Sequence, residues 1–266
     1  MFLKFYAAFR LFAITIYTGV TFGIYASGLL VVKVTGIRYE PWRNLFMRVW
    51  AKGVVVIFNI KIIAAGKPPE PPFFIVSNHL SYLDIVPLYI SMKCTFVAKK
   101  EVRSWPLLGT MVHAVGVIFV DRTKQRDVSR VNKLLSESLN HYQGLVLFPE
   151  GTSSGGQEVL PFHSSLLELP AAGNIPVHTV SLYYETGKKD LPAIDSVCFF
   201  GARESFLSHV FKLAQTRKIV CKIRFGDEPV QSGNRKKLAA KLHEKVKELF
   251  EPTAPKSGQV YREETI

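Results

Sequence analysis

The spacing of apolar residues divides the chain before any motif is considered. From Leu11 to Val32 there are 22 residues without a formal charge, bracketed by Lys4 and Arg10 before and by Lys33 and Arg38 after. Such a run is long enough to cross a bilayer core. A cleaved leader shares the basic start and apolar run, but no A-x-A site follows this one. A second apolar stretch, Trp42 to Ile63, is interrupted by Arg43, Arg48, Lys52 and Lys61. Those cations suit a helix at the headgroup region; a core helix followed by a strand is the other reading. Gly66 to Pro72 holds Pro68, Pro69, Pro71 and Pro72. It can neither continue a helix nor pair in a central strand, so it reads as the junction into a globular part that starts near Phe73.

Beyond the junction, Phe73–Ser77, Thr95–Ala98, Val117–Val120, Leu145–Phe148, Val177–Tyr184 and Ile219–Phe225 are short apolar runs of the kind found in buried strands. Helical patterns fall between them, the clearest placing Val128, Val131, Leu134, Leu135, Leu139 and Tyr142 on one stripe. Strands separated by helices predict an α/β fold, with a mixed, largely parallel sheet flanked by helices and N-terminal membrane helices in front. Leu238, Leu242, Val246 and Leu249 recur among lysines as a solvated amphipathic helix. The expected organisation is membrane-anchoring helices over 1–65, one α/β domain over 66–250 and a flexible tail over 251–266.

Charge and composition narrow the partners. With 34 basic and 21 acidic residues the net charge is +13, which favours an anionic partner, and 48% hydrophobic content tilts that toward a membrane. Nucleic acid is set aside, because no recognition helix, zinc finger or paired-aromatic signature accompanies the basic residues. Cys94, Cys198 and Cys221 are odd in number and widely spaced. They suggest neither a disulfide framework nor a zinc site, and point to a reducing compartment.

Several candidate groups fall at strand ends. Asn78-His79-Leu80-Ser81-Tyr82-Leu83-Asp84 follows its apolar strand directly and so lies on a strand-to-helix turn, where α/β sheets present reactive groups. His79 is suited to take a proton near neutral pH, and Asp84 to fix its tautomer and stabilise the imidazolium. The same spacing also occurs in helix caps without chemistry. Phe148-Pro149-Glu150-Gly151-Thr152 ends another strand, where Pro stops the ladder and Gly opens backbone N–H groups to an oxyanion; a plain loop exit needs the same residues. Arg122, after Gly116–Asp121, is suited to bidentate phosphate recognition, although Asp121 or Asp127 could simply pair with it. Lys100 adds a cation after a further strand.

Together these blocks resemble the glycerolipid acyltransferase family, which contains the 1-acylglycerol-3-phosphate O-acyltransferases. Asn78, His79, Ser81 and Asp84 match its first block; Gly116, Ile118, Phe119 and Arg122 its second; Phe148 to Thr152 its third; and Ile175, Pro176 and Val177 its fourth. The resemblance covers roughly Phe73 to Val180. It implies a glycerol-3-phosphate acyltransferase-like fold and acyl transfer from acyl-CoA or acyl-carrier protein to the free sn-2 hydroxyl of 1-acylglycerol-3-phosphate, giving phosphatidate. In that reading His79 is the base and Asp84 its orienting partner. Backbone N–H groups near Gly151 meet the oxyanion, Glu150 and Thr152 help place the acceptor, and Arg122 with Lys100 holds its phosphate. No metal or organic cofactor is implied, the thioester being activated already. The partners implied are membrane lipid and a lysolipid acceptor, with attachment to the inner (cytoplasmic) membrane and the catalytic domain on its cytosolic side.

The chain departs from the pattern at two places. Ser153 and Ser154 stand where many lysophosphatidate enzymes have Arg and Ser, and Thr179 where a second Pro is common. The lost cation weakens the case for a phosphate acceptor and leaves lyso-ornithine lipid or another lysolipid as an alternative. Two rival classes remain. A serine hydrolase would use Gly151-Thr152-Ser153-Ser154-Gly155 as G-x-S-x-G, though a nucleophile elbow leads straight into a helix and this segment continues as a loop. A non-catalytic binding protein would leave the gathering of His79, Glu150 and Arg122 without a cause.

Overall fold

In the computed structural model, residues 2–99, 108–120, 137–201 and 204–253 are described. Helix α1 (Phe2–Thr35) is followed by α2 (Glu40–Phe58), which has a proline in its first turn and ends at Asn59 in the left-handed conformation, its N–H turned back on Val55 and Val56. That stop releases the chain into strand β1 (Ile60–Ala65). The remaining strands are β2 (Phe74–Ser77), β3 (Cys94–Lys99), β4 (Ile118–Val120), β5 (Gly144–Leu147), β6 (Val177–Thr186) and β7 (Ile219–Phe225). Between them lie α3 (Ile85–Ser91), α4 (Leu108–Ala114), α5 (Glu168–Ala172) and α6 (Phe206–Gln215), and α7 (Arg235–Leu249) follows β7.

The strands form one sheet in the order β1-β7-β6-β2-β5-β3-β4. From β6 to β4 every neighbouring pair is parallel, β7 runs antiparallel to β6, and β1 lies parallel to β7. The expected mixed, largely parallel sheet is therefore the one observed. The stretch Trp42 to Ile63 is resolved as a helix and then a strand. Because β1 pairs with β7 from Ile60 to Ala65, a boundary drawn between residues 65 and 66 cuts off a strand of the sheet.

Helices cover both faces, which explains the unbroken apolar runs Phe74–Val76 of β2 and Leu145–Leu147 of β5. Ile75 belongs to the core layer shared with Phe46, Met47 and Leu88 of α2 and α3, whereas Phe74 and Val76 meet Leu238, Leu242 and Val246 of α7. Successive strand residues point to opposite faces, so a strand buried on both sides must be apolar throughout. One flank of the C-terminal amphipathic helix is thus docked and its lysines face out. Glu251, the first residue of the expected loose tail, ion-pairs with Lys222 and Arg224 of β7, and the Thr253 N–H donates to the Gly156 carbonyl at 2.7 Å. The helical stripe begun at Val128 lies largely outside the described residues.

Helix α1 is laid against the domain. Arg10, buried, donates to the carbonyls of Ala214 and Thr216 at the end of α6; Tyr17 reaches Val49 at 2.7 Å; and Tyr25 reaches Ala114 at 2.8 Å. Its other side exposes Phe2, Phe5, Phe9, Phe12, Ile16, Val20 and Ile24. By length and composition α1 is also sufficient to cross a membrane. All three cysteines are free and buried, and burial pushes the Cys94 thiol up to about 12.

Candidate active site

The parallel arrangement brings the C-terminal ends of β2, β5, β3 and β4 to one edge of the sheet. At that edge Val76 pairs with Leu147, so the residues leaving β2 and β5, His79 and Glu150 among them, emerge side by side. Asn78 sets the exit. Its side-chain amide donates to the Leu182 carbonyl at 2.9 Å and accepts from the Leu182 N–H at 2.8 Å. The side chain takes the place of a backbone unit and extends the β2–β6 ladder by one step while the main chain turns away.

His79 then meets Asp84. Nδ1 lies 2.8 Å from Asp84 Oδ2, and the same oxygen accepts from the N–H groups of Leu80 at 2.7 Å and Ser81 at 3.1 Å. Ser81 caps the short 3₁₀ turn Tyr82–Asp84 in a reciprocal capping box, which fixes where Asp84 falls. The cap reading and the catalytic reading are thus compatible, since one carboxylate oxygen serves both. A carboxylate oxygen can only accept, so Nδ1 carries the proton and Nε2 is left as the ring's acceptor. The ring stacks on Phe148, with centroids 4.2 Å apart, and keeps 25% of its surface exposed, whereas Asp84 is fully buried. Asp84 Oδ1 and the Tyr184 hydroxyl are both buried, and burial and then the Asp84 charge push the Tyr184 hydroxyl far above its ordinary range.

The Phe148–Thr152 loop wraps the same site. Gly151 adopts φ +73°, a left-handed conformation that a side chain would strain, and its N–H turns back on the Phe148 carbonyl at 3.1 Å. The Ser154 N–H donates to the His79 carbonyl at 2.8 Å, tying the two motifs together. Thr152, between them, is exposed. Glu150 is only 2% exposed and lies near the backbone N–H groups of His79 and Leu160. Burial, with a smaller contribution from the Asp84 charge, pushes its carboxyl up to about 9, so it is a neutral acid at neutral pH. It sits against the backbone of His79 and not on an open surface, so an acceptor would reach it only through movement of the loop.

Neither serine of the G-x-S-x-G segment is poised as a nucleophile. The Ser153 hydroxyl donates to the Phe199 carbonyl, and Ser154 Oγ accepts from the Gly156 N–H at 3.2 Å. Arg122 and Lys100 lie outside the described residues, although the strands that lead to them, β4 and β3, end at this edge. Among the described residues no group of three or more His, Cys, Asp or Glu side chains gathers as a metal site. Sequence reasoning missed two groups beside the site, the hydroxyl of Tyr82 and the imidazole of His209, which bond to each other at 3.0 Å. His209 sits in an ordinary amphipathic helix, and nothing local in the sequence marks it.

Residues 60–183 match the family described as Acyltransferase. Among curated proteins, the chain is 28% identical over 225 residues to the lyso-ornithine lipid O-acyltransferase of Pseudomonas aeruginosa, covering 84% of this chain and 85% of that protein. It is 33% identical over 151 residues to the 1-acyl-sn-glycerol-3-phosphate acyltransferase of Neisseria gonorrhoeae, covering 55% and 59%. The crystal structure of the 1-acyl-sn-glycerophosphate (LPA) acyltransferase from Thermotoga maritima superposes with a TM-score of 0.60 at 20% identity, over 93% of this chain and 95% of that one, a likeness of fold.

Proposed function

We propose, from the match of residues 60–183 to the acyltransferase family, that this chain is an acyltransferase that transfers a fatty acyl group from acyl-CoA or acyl-carrier protein to the free hydroxyl of a lysolipid. The observation that carries the reading is the 2.8 Å contact between His79 Nδ1 and the buried Asp84 carboxylate. With Nδ1–H committed there, Nε2 takes the proton of the acceptor hydroxyl as its oxygen attacks the thioester carbonyl. Asp84 stabilises the imidazolium that forms. The oxyanion needs N–H donors that preorganised backbone supplies without reorganisation. Since the Gly151 and Ser154 amides are engaged within the fold, those of Thr152 and Ser153 are the donors we assign. Collapse of the tetrahedral species expels the thiolate, which takes the proton back from His79. Arg122 and Lys100 hold an anionic headgroup, and Glu150 acts from beneath by supporting the loop that receives the acceptor.

The first acceptor we assign is 1-acylglycerol-3-phosphate, with phosphatidate as product. A second reading, lyso-ornithine lipid, is favoured by the Ser153 hydroxyl, which is committed to the Phe199 carbonyl where many lysophosphatidate enzymes carry an arginine. The relative from Pseudomonas aeruginosa bears that name. The apolar outer side of α1 rests in the cytosolic leaflet of the inner membrane, with the catalytic domain in the cytosol and residues 1–58 as its anchor. An exposed apolar face of that length has no stable place in water.

The test is transfer of a labelled acyl group from acyl-CoA to lysophosphatidate or to lyso-ornithine lipid by protein purified in detergent, with His79→Ala as control. Acylation that vanishes in the variant supports reaction and base together. Transfer only to the ornithine lipid keeps the mechanism and changes the acceptor. Transfer that survives His79→Ala, or none to either acceptor, overturns the assignment.

A further inference from the structure

Behind the catalytic turn a ring of contacts closes on itself. The Phe199 N–H donates to the Leu80 carbonyl at 2.9 Å. The neighbouring Cys198 carbonyl lies 3.0 Å from His209 Nε2, and His209 Nδ1 lies 3.0 Å from the Tyr82 hydroxyl. From Tyr82 the chain returns through Ser81 to Leu80. A carbonyl can only accept, so Nε2 carries the ring proton; burial lowers the histidine's affinity for a second one, so Nδ1 accepts from Tyr82. His209 is 1% exposed with both nitrogens occupied, so it is not itself a binding group. Tyr82 is also packed edge-on by Phe199, Phe206 and His209. The helix that carries His209 is held at its far end by Arg10 of α1.

We propose that Tyr82 and His209 are positioning residues for the reaction, holding the 3₁₀ turn so that Asp84 stays in register with His79. Tyr82 opens the three-residue turn that ends in Asp84, so a rotation of the turn that breaks the Tyr82–His209 bond also carries Asp84 Oδ2 away from His79. Packing alone would hold the rings at this place. The paired hydroxyl and imidazole add a direction, which an apolar pair of the same volume would lack.

This inference rests on the reading of His79 and Asp84 given above, and its test separates the two. Tyr82→Phe removes only the hydroxyl, and His209→Gln keeps an amide near Nε2 for Cys198 while losing the acceptor at Nδ1. Each is expected to lower kcat about tenfold, with the acceptor KM unchanged within about twofold. The double variant is expected to lose no more than either single, because both remove the same bond. Undiminished kcat in Tyr82→Phe, a loss confined to KM, or losses that multiply to about a hundredfold would overturn the proposal. Should His209→Gln fail to fold, Tyr82→Phe decides alone. The proton resonance of His79 Nδ1–H gives a readout independent of turnover: it shifts in Tyr82→Phe if the ring of contacts sets the His79–Asp84 bond, and an unmoved resonance overturns the proposal. If the wild type transfers nothing to either acceptor, the functional reading falls and this resonance still tests the positioning.

Discussion

Replacing Asp84 by Asn isolates what the carboxylate's charge does, because the structure lets the amide keep every existing contact. All three donors, His79 Nδ1, Leu80 N–H and Ser81 N–H, converge on the single oxygen Oδ2. The asparagine oxygen can occupy that place, and its NH₂ then takes the place of Oδ1 beside the Tyr184 hydroxyl, which can accept from it. The tautomer of His79 is therefore retained and only the charge opposite the imidazolium is lost. For unit charges separated by 2.8 Å, an effective dielectric of about 20 gives roughly 6 kcal/mol. Halving that for water at the quarter-exposed ring leaves about 3 kcal/mol, a fall in kcat of about a hundredfold or somewhat more. Steady-state acyl transfer, with the acceptor varied at saturating donor, should show that fall with KM changed less than about threefold. Chemical denaturation should show a stability loss of at most about 1 kcal/mol, since the capping bonds persist. Activity within about tenfold of wild type would refute the electrostatic role. A stability loss above about 3 kcal/mol would show that the carboxylate is chiefly a structural cap.

Three further outcomes follow from the geometry. Glu150 binds a proton in the folded protein up to about pH 9, against an ordinary 4.5, so between those values the folded state holds more protons than the unfolded one and stability falls as pH rises. Glu150→Gln should remove that dependence, and unfolding midpoints of the two proteins should diverge in favour of the variant from pH 5 to 9; parallel curves would contradict the raised carboxyl. Asn78→Ala should cost about 2–4 kcal/mol in denaturant unfolding, because the two buried backbone groups of Leu182 lose their partner, and a cost below about 1 kcal/mol would mean that they find another. Ser153→Ala should retain acyl transfer within about threefold, its hydroxyl serving Phe199 and no nucleophilic step; abolition of activity would restore the hydrolase reading.

What could be read from the sequence was what local pattern dictates. Parallel strands buried on both faces must be apolar, so β2 and β5 announce themselves, and a strand that ends in Asn-His or in Pro-Glu-Gly marks a sheet edge. His79 and Asp84 were legible as a pair because five residues across one turn leave little freedom in where they fall. The edge strand β1 was less legible, since Ile60–Ala65 is buried only at its start and reads equally as the end of a helix. Long-range pairing is another matter. That Asn78 completes a ladder with Leu182, that Glu150 is buried to the point of staying protonated, and that Ser153 faces Phe199 depend on segments distant in sequence, 46 residues apart for the serine and 104 for the asparagine. The link between Tyr82 and His209, across 127 residues, exists only because α6 packs beside the turn. Composition and spacing thus determine which residues leave the sheet at the edge where β2 and β5 end. Their partners, and hence their charge and orientation, are decided by tertiary packing, because burial and hydrogen bonding are properties of the assembled neighbourhood and not of any stretch of chain.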